Sequence, residues 1–232
     1  MARAKLQAKA TVREDVARLF DTLADDGVGI VPLDVAYAIC ASRSGGIQRI
    51  FAAKNRSYEK PSGMLGNPDL SQRVHLMDAR KHALVETLVS VEKIPFSVVA
   101  PFDPDNHVFA NVEDFVMQNS SKAGTLDMLL NAGEFHDEIA AQSIERSMPV
   151  FGSSANASLT GSKYAYADID VEVRSVADIH FDYGTSKYAN ELGRSSTIVD
   201  FNSFNVIRQG VVFDAVAAAF ARHGVELKVP TA

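Results

Sequence analysis

The sequence predicts an α/β protein with a twisted mixed β-sheet flanked by helices, on three observations. Helix-period stretches and short β-branched runs interleave, but without the strict strand-helix alternation of a doubly wound sheet. The hydrophobic patterning runs from about Val12 to Phe220 with no Pro/Ser/Gly-rich linker, no long charge block and no internal repeat. The 232 residues are 47% hydrophobic and 22% charged, ordinary globular values for a chain of this size. Residues 1–232 therefore read as a single domain, with a core over about 12–213 and a closing helix over about 214–223.

Each element has its own signal. Val12, Val16, Leu19, Phe20 and Leu23 follow helical spacing, and Asp25-Asp26-Gly27 stops the helix. Gly29 to Leu33 reads as a short buried strand, and Ile47, Ile50 and Phe51 mark a second helix that ends at a cationic turn. Pro61 disfavours a helix running through it, so Ser62 to Leu65 reads as a strand. A helix over Ala79–Val91, a strand over Phe96–Ala100 and a surface loop over Pro101–Asn111 follow. Next come a strand over Thr125–Leu130, a helix over Glu134–Arg146 and a strand over Val150–Ser153. Residues 179–182, 196–201 and 205–208 are short β-type runs, and Asp214 to Arg222 is an Ala-rich closing helix.

Composition and motif content narrow the function. A net charge of −6 and a pI near 5.5 argue against a protein that coats nucleic acid, because phosphate neutralisation needs a basic face. One local exception stands out: Arg43, Arg49, Lys54, Arg56 and Lys60 lie close together, opposed there only by Glu59, and would give one basic concavity. A single cysteine, Cys40, excludes an intramolecular disulfide, and neither a secretory leader nor a run of about 20 apolar residues is present. The expected location is cytoplasmic, with no membrane association. Neither GxxxxGK[ST] nor a GxGxxG opening a helix occurs, and the second glycine of a serine-hydrolase elbow is missing around Ser153. The histidines are scattered, so no metal site is expected and each reads as surface or packing. Cys40, in an apolar run, reads as a small buried hydrophobe.

What remains is an anion site assembled from distant segments. Lys54 and Arg56 sit two apart on an irregular turn, the arginine offering a planar fork and the lysine a mobile point charge for a polyphosphate. Ser154 and Asn156, at the end of the strand from Val150, offer hydroxyl and amide donors, with Ser153 as a backbone contributor. Ser196 and Arg208 would close the opposite side.

In that order, Lys54-x-Arg56 with Pro61, Ser154-Ala155-Asn156, and Ser196-Thr197-Ile198-Val199-Asp200 leading to Arg208 resemble the motifs of the YrdC-like family, whose best-known members are threonylcarbamoyl-AMP synthases. The resemblance spans roughly Val12 to Val212. It implies a YrdC-like α/β sheet with a basic concave surface. It also implies a nucleotidyltransferase that condenses an amino acid with bicarbonate and couples the carbamate to ATP, releasing pyrophosphate with Mg²⁺ assistance, for tRNA modification. Carried over residue by residue, Lys54, Arg56, Ser154, Asn156, Ser196 and Arg208 would hold the nucleotide and intermediate, with Lys54 and Arg56 as the catalytic cations.

The departures fall on the amino-acid side. The family's Pro-Thr-Asp/Glu-Thr is here Pro32-Leu33-Asp34-Val35, and Leu129 stands where the family carries an arginine toward the carboxylate. The family's Pro-Gly-Pro-x-Thr segment is reduced to Lys93-Ile94-Pro95-Phe96-Ser97, and Arg208-Gln209-Gly210 replaces Arg-Pro-Gly. A carboxylate buried against Leu129 without a cation would bear a desolvation cost on the order of several kcal/mol. Threonine remains the default acceptor; in a specialised version, an amine less polar than threonine would fill the pocket lined by Leu33, Val35 and Leu129. The competing expectation is a non-catalytic YrdC-like module that grips RNA, double-stranded RNA included, or a nucleotide. The sequence leaves the identity of the amine and the oligomeric state open.

Overall fold

The structure, a computed structural model, describes residues 2–55, 57 and 59–230, with side chains described from residue 11 onward. Helix α1 (Ala2–Ala24) leads into β1 (Gly29–Val31) and β2 (Ala38–Ala41), then α2 (Ser44–Ala53) and β3 (Gly63–Leu65). Helices α3 (Pro68–Val74) and α4 (Ala79–Ser90) precede β4 (Phe96–Pro101). Both are capped by short side chains that satisfy an otherwise orphaned amide: Asn67 accepts from the Leu70 amide and Asp78 from the Lys81 amide, each at 2.9 Å. The middle of the chain is α5 (Asp114–Ser120), β5 (Ser121–Lys122), β6 (Thr125–Leu130), α6 (Glu134–Glu145) and β7 (Val150–Ser154). It closes with α7 (Val171–Arg174), β8 (Ile179–His180), β9 (Ile198–Asp200), β10 (Val206–Arg208) and α8 (Phe213–Arg222).

All ten strands join one mixed sheet in the order β10-β9-β4-β6-β3-β7-β2-β1-β8, with β5 added beside β6. The pairs β1/β8, β3/β6 and β4/β9 are parallel and the rest antiparallel. Alternation along each strand divides the sheet into two faces. Ile30 and Ile39, then Ala41, Phe151, Met64, Met128, Val98 and Val199, lie across one face and belong to the larger apolar core. The other face is only half covered. Cys40, Val150 and Leu65 lie in a second core with Val16, Leu19 and Phe20 of α1 and Phe135 and Ile139 of α6. Toward β9 and β10 the same face carries Ser97, Asp127 and Ile198, where the site described below is built.

The sheet, its mixed polarity and most boundaries agree with the sequence reading. Several local features differ. Helix α1 begins at Ala2 rather than near Val12. Strand β2 carries no alternation because all four of its residues are buried, so its sequence shows only an apolar run. Helices α3 and α5 span seven residues each, too short for a periodic signal. The segment 101–111 is not a simple surface loop: Phe102, Val108 and Phe109 are buried, Phe102 bridges to His75, and residues 107–109 form a 3₁₀ turn. Among the described residues no helix is long and apolar enough to cross a membrane.

Candidate nucleotide site

The first polar cluster joins the end of α2 to the end of β7. Lys54 is the C-cap of α2, its amide bonded back to the Ile50 carbonyl, and Asn55 turns the chain out with a left-handed φ of 46°. The side chain does not extend into solvent; Lys54 is only 2% exposed. Its ammonium donates to the Asn156 carbonyl at 2.6 Å and to the Ser154 carbonyl. The mobile point charge expected from the sequence is therefore a fixed one, because a buried ammonium must have its donors satisfied.

The turn that Lys54 braces is held on every side. Ser158 N donates to the Lys54 carbonyl at 3.1 Å and Ala155 N to the Tyr37 carbonyl at 2.8 Å. The Ser154 hydroxyl donates to Asn156 Oδ1, and Asn156 Nδ2 donates to the Ala157 carbonyl at 2.6 Å. Ala157 N donates to the Asp170 carboxylate at 2.8 Å, and this bond holds the Asp170 carboxyl below its ordinary range. Asp170 escaped the sequence reading. It lies thirteen residues beyond its partner in a stretch with no motif, and only the folded turn reveals it.

The second cluster joins β4, β9 and β10. Arg208 donates from Nε and Nη2 to the Ser196 carbonyl, at 3.1 and 2.8 Å, and from Nη2 to Ser196 Oγ at 3.1 Å. Ser196 Oγ lies 3.1 Å from Ser97 Oγ, a partner that the sequence reading did not select. Thr197 Oγ1 accepts from Gly210 N at 3.1 Å, and a Cβ on Gly210 would fall 2.2 Å from the Ser195 carbonyl oxygen, so this close approach needs glycine. The Arg208 side chain stays open to solvent along part of its length, yet the protein packed around its head lowers the guanidinium pKa, an effect opposed by the negative charge of Asp127.

Register places both clusters on one face. Ile198, Ser97, Leu129 and Leu65 are successive cross-strand partners, so their side chains share a side of the sheet; the β9/β10 register shifts at Arg208, whose bond to Ser196 Oγ, 3.1 Å from Ser97 Oγ, brings it to the same side. On that side the neighbouring row contains Val99, Asp127, Gly63 and Gly152, and Ser154 follows Gly152 by two residues along β7. A Cβ on Gly63 would come within 3.3 Å of Asp127 Oδ2, so the bare glycine leaves room above the Asp127 carboxylate. Leu33 and Val35 are buried in the core cluster against which Leu129 packs, so the structure brings the three apolar candidates together beside the polar face.

Other sequence candidates lie apart or outside. Arg56 is outside the described residues. Arg43 and Arg49 turn away to carboxylates, Arg43 at 3.6 Å from Glu113 and Arg49 at 2.7 Å from Asp178. Cys40 is fully buried with its thiol pushed up to about 12, a packing residue. His75 is also buried, between Ser71 Oγ at 2.9 Å and the Leu126 carbonyl at 3.2 Å, and burial pulls it down to about 4. Among the described residues no three acidic, histidine or cysteine side chains converge on a metal position.

The family model Sua5_yciO_yrdC, described as telomere recombination, matches residues 21–210. A hypothetical protein from Streptococcus mutans superimposes with a TM-score of 0.70 at 17% identity, over 90% of this chain and 92% of that one. P. abyssi Sua5 complexed with L-threonine gives 0.72 at 14% identity, over 96% of this chain and 59% of that one. E. coli YciO gives 0.60 at 14% identity, over 88% and 90%. No curated protein sequence matches the chain.

Proposed function

The chain belongs to the Sua5/YciO/YrdC family, and from that premise we propose that it is an ATP-dependent nucleotidyltransferase forming a carbamoyl-adenylate. An amine and bicarbonate condense with loss of water to a carbamate, the new C–N bond replacing a C–O bond, and the carbamate oxygen attacks the α-phosphorus of ATP. The new P–O bond forms as the bond to the bridging oxygen breaks, and pyrophosphate leaves. One observation carries the reading: the cation of the first sequence block, Lys54, is locked into the turn of the second, Ser154–Asn156, on the face that also presents Ser196 and Arg208.

The reaction needs no covalent nucleophile, so positioning and charge stabilisation do most of the work. Ser154, Asn156 and Ser196 offer short polar groups to phosphate or carbamate oxygens, and Arg208 offers a planar fork. Lys54 contributes a buried positive charge and fixes the turn; Arg56 is assigned to the phosphates by the family pattern. Magnesium enters this scheme with the nucleotide, on its phosphate oxygens. The family link supports a role for the product in tRNA modification. P. abyssi Sua5 has been seen with L-threonine, which makes amino acids the first acceptors to test. Leu129 beside Leu33 and Val35 supports an acceptor other than threonine.

The test is pyrophosphate release from Mg-ATP and bicarbonate across L-threonine, other amino acids and simple amines. Release with at least one acceptor, lost in Arg208→Ala, is expected. ATP binding without release for any acceptor would overturn catalysis and leave a binding module. Steeply salt-dependent RNA binding would identify that module's ligand as RNA.

A further inference from the structure

A separate cavity of about 490 Å³ opens between the start of α6, the chain following β1 and the loop after β8. None of the nucleotide-site residues Lys54, Ser154, Asn156, Ser196 or Arg208 lines it, although Leu33, one of the apolar acceptor candidates, does. Its size falls within the roughly 300–1,000 Å³ of small-molecule pockets.

Asp34 is its most informative residue. Both backbone groups of Asp34 are tied down: its amide donates to the Ala132 carbonyl at 2.7 Å, and its carbonyl accepts from Tyr188 N at 2.9 Å. The half-buried carboxylate, by contrast, has no hydrogen bond or ion pair among the described residues. Gly133, at φ 104°, makes room for it, because a Cβ there would sit 2.6 Å from Asp34 Oδ1. Burial raises its pKa, a rise that the positive charge of Lys187 opposes, and a cation hydrogen-bonded to the carboxylate would favour its charged form further.

The surroundings indicate what that partner is. Glu134 adds a second carboxylate to the wall, and Phe135 and Tyr183 contribute rings in an edge-to-face pair 5.5 Å apart. Carboxylates beside aromatic faces suit an organic cation. The one ammonium on the lining, Lys187, forms no ion pair with Asp34 and instead sits over the Tyr188 ring, 5.0 Å from its centroid. Ser186 also lines the cavity and is 9% exposed; its buried hydroxyl has no hydrogen-bond partner among the described residues. Leu33 and Val12 supply apolar wall. We propose that this cavity binds a small primary ammonium compound with an apolar body, its charged head on Asp34 and its body against Phe135 and Leu33.

The test uses n-butylamine against its opposite-charge analogue, butyrate, titrated into ¹⁵N-labelled protein. Saturable amide shifts are expected with the amine alone, centred on residues 33–34, 133–135 and 183–187. Asp34→Asn should weaken amine binding by about tenfold or more, as expected for a lost charge-assisted bond, and leave ATP binding unchanged. Glu134→Gln, on an exposed residue, should weaken it a few-fold; Lys187→Met should strengthen it by removing a like charge. Tighter binding of butyrate, amine binding unaltered in both Asp34→Asn and Glu134→Gln, or no saturable shift would overturn the proposal. ATP binding is read separately, so failure here is distinguishable from failure of the nucleotide reading.

Discussion

Lys54 shows how a residue can belong to a charged motif and still spend its charge internally. Two carbonyls at the end of β7 depend on its ammonium. Removing it leaves each buried acceptor to bear a desolvation cost of about 1–3 kcal/mol. Lys54→Met, which keeps the aliphatic stem, is expected to lower stability by about 2–4 kcal/mol in urea denaturation and to weaken ATP binding through the Ser154–Asn156 turn. Unchanged stability would mean the ammonium is not the brace. His75 carries a second expectation. It is held neutral in the fold, with a pKa near 4 against an ordinary 6.5. Above pH 6.5 both folded and unfolded states are neutral and it contributes nothing; below that, the unfolded chain takes up the proton first. Stability should therefore fall as pH drops from about 6.5 to about 4, by up to about 3 kcal/mol, and this part of the pH profile should flatten in His75→Gln. Residue types in sequence order were enough to select Lys54, Ser154, Asn156, Ser196 and Arg208. They could not show that Lys54 points inward or that Asp170 and Ser97 complete the clusters, because each such partner is remote in the chain.

At the level of elements, the pairing of α1 with α6 fixes where the open half of the sheet begins. Phe20, Leu19 and Val16 of α1 are fully buried with Phe135 and Ile139 of α6. The same helices also share exposed ion pairs near their junction, Arg13 with Glu138 at 3.4 Å and Glu145 at 3.1 Å, and Arg146 next to α6 with Asp21 at 2.7 Å. Burial should decide their stability: Phe20→Ala is expected to cost about 3–5 kcal/mol, whereas Arg13→Ala should cost less than about 1 kcal/mol. Similar losses for the two in chemical denaturation would contradict this ranking. Helix α1 was legible because one of its faces stays apolar over three turns. Strand β2 was not, because a strand covered on both sides loses the alternation that identifies it. The segment 101–111 departs from a surface loop for a related reason: Phe102 and Phe109 pack edge to face, 5.8 Å apart, within a turn-rich sequence.

Across the whole molecule, the candidate site is assembled late in the chain's connectivity. Lys54 meets residues a hundred positions away, and Ser97 meets Ser196 at a similar separation, so neither cluster exists without the closed sheet. The two clusters stand on either side of β3 and β6 on one face, and a nucleotide that touches both would couple them. Binding to the folded state alone raises stability by about 2.7 kcal/mol at a hundredfold excess over Kd. Mg-ATP should therefore raise the melting temperature of the wild-type protein in a concentration-dependent way. Arg208→Ala should lose most of that increase, with a modest drop in the melting temperature without nucleotide for its lost bonds to Ser196. Raising the salt concentration separates the two kinds of anion recognition. An enclosed nucleotide contact is screened weakly, whereas a polyanion spread over the surface is released along with its counterions. An ATP-dependent shift that survives both Arg208→Ala and high salt would place the nucleotide away from β10; a shift abolished by salt alone would point to loose surface binding and against a site spanning both clusters.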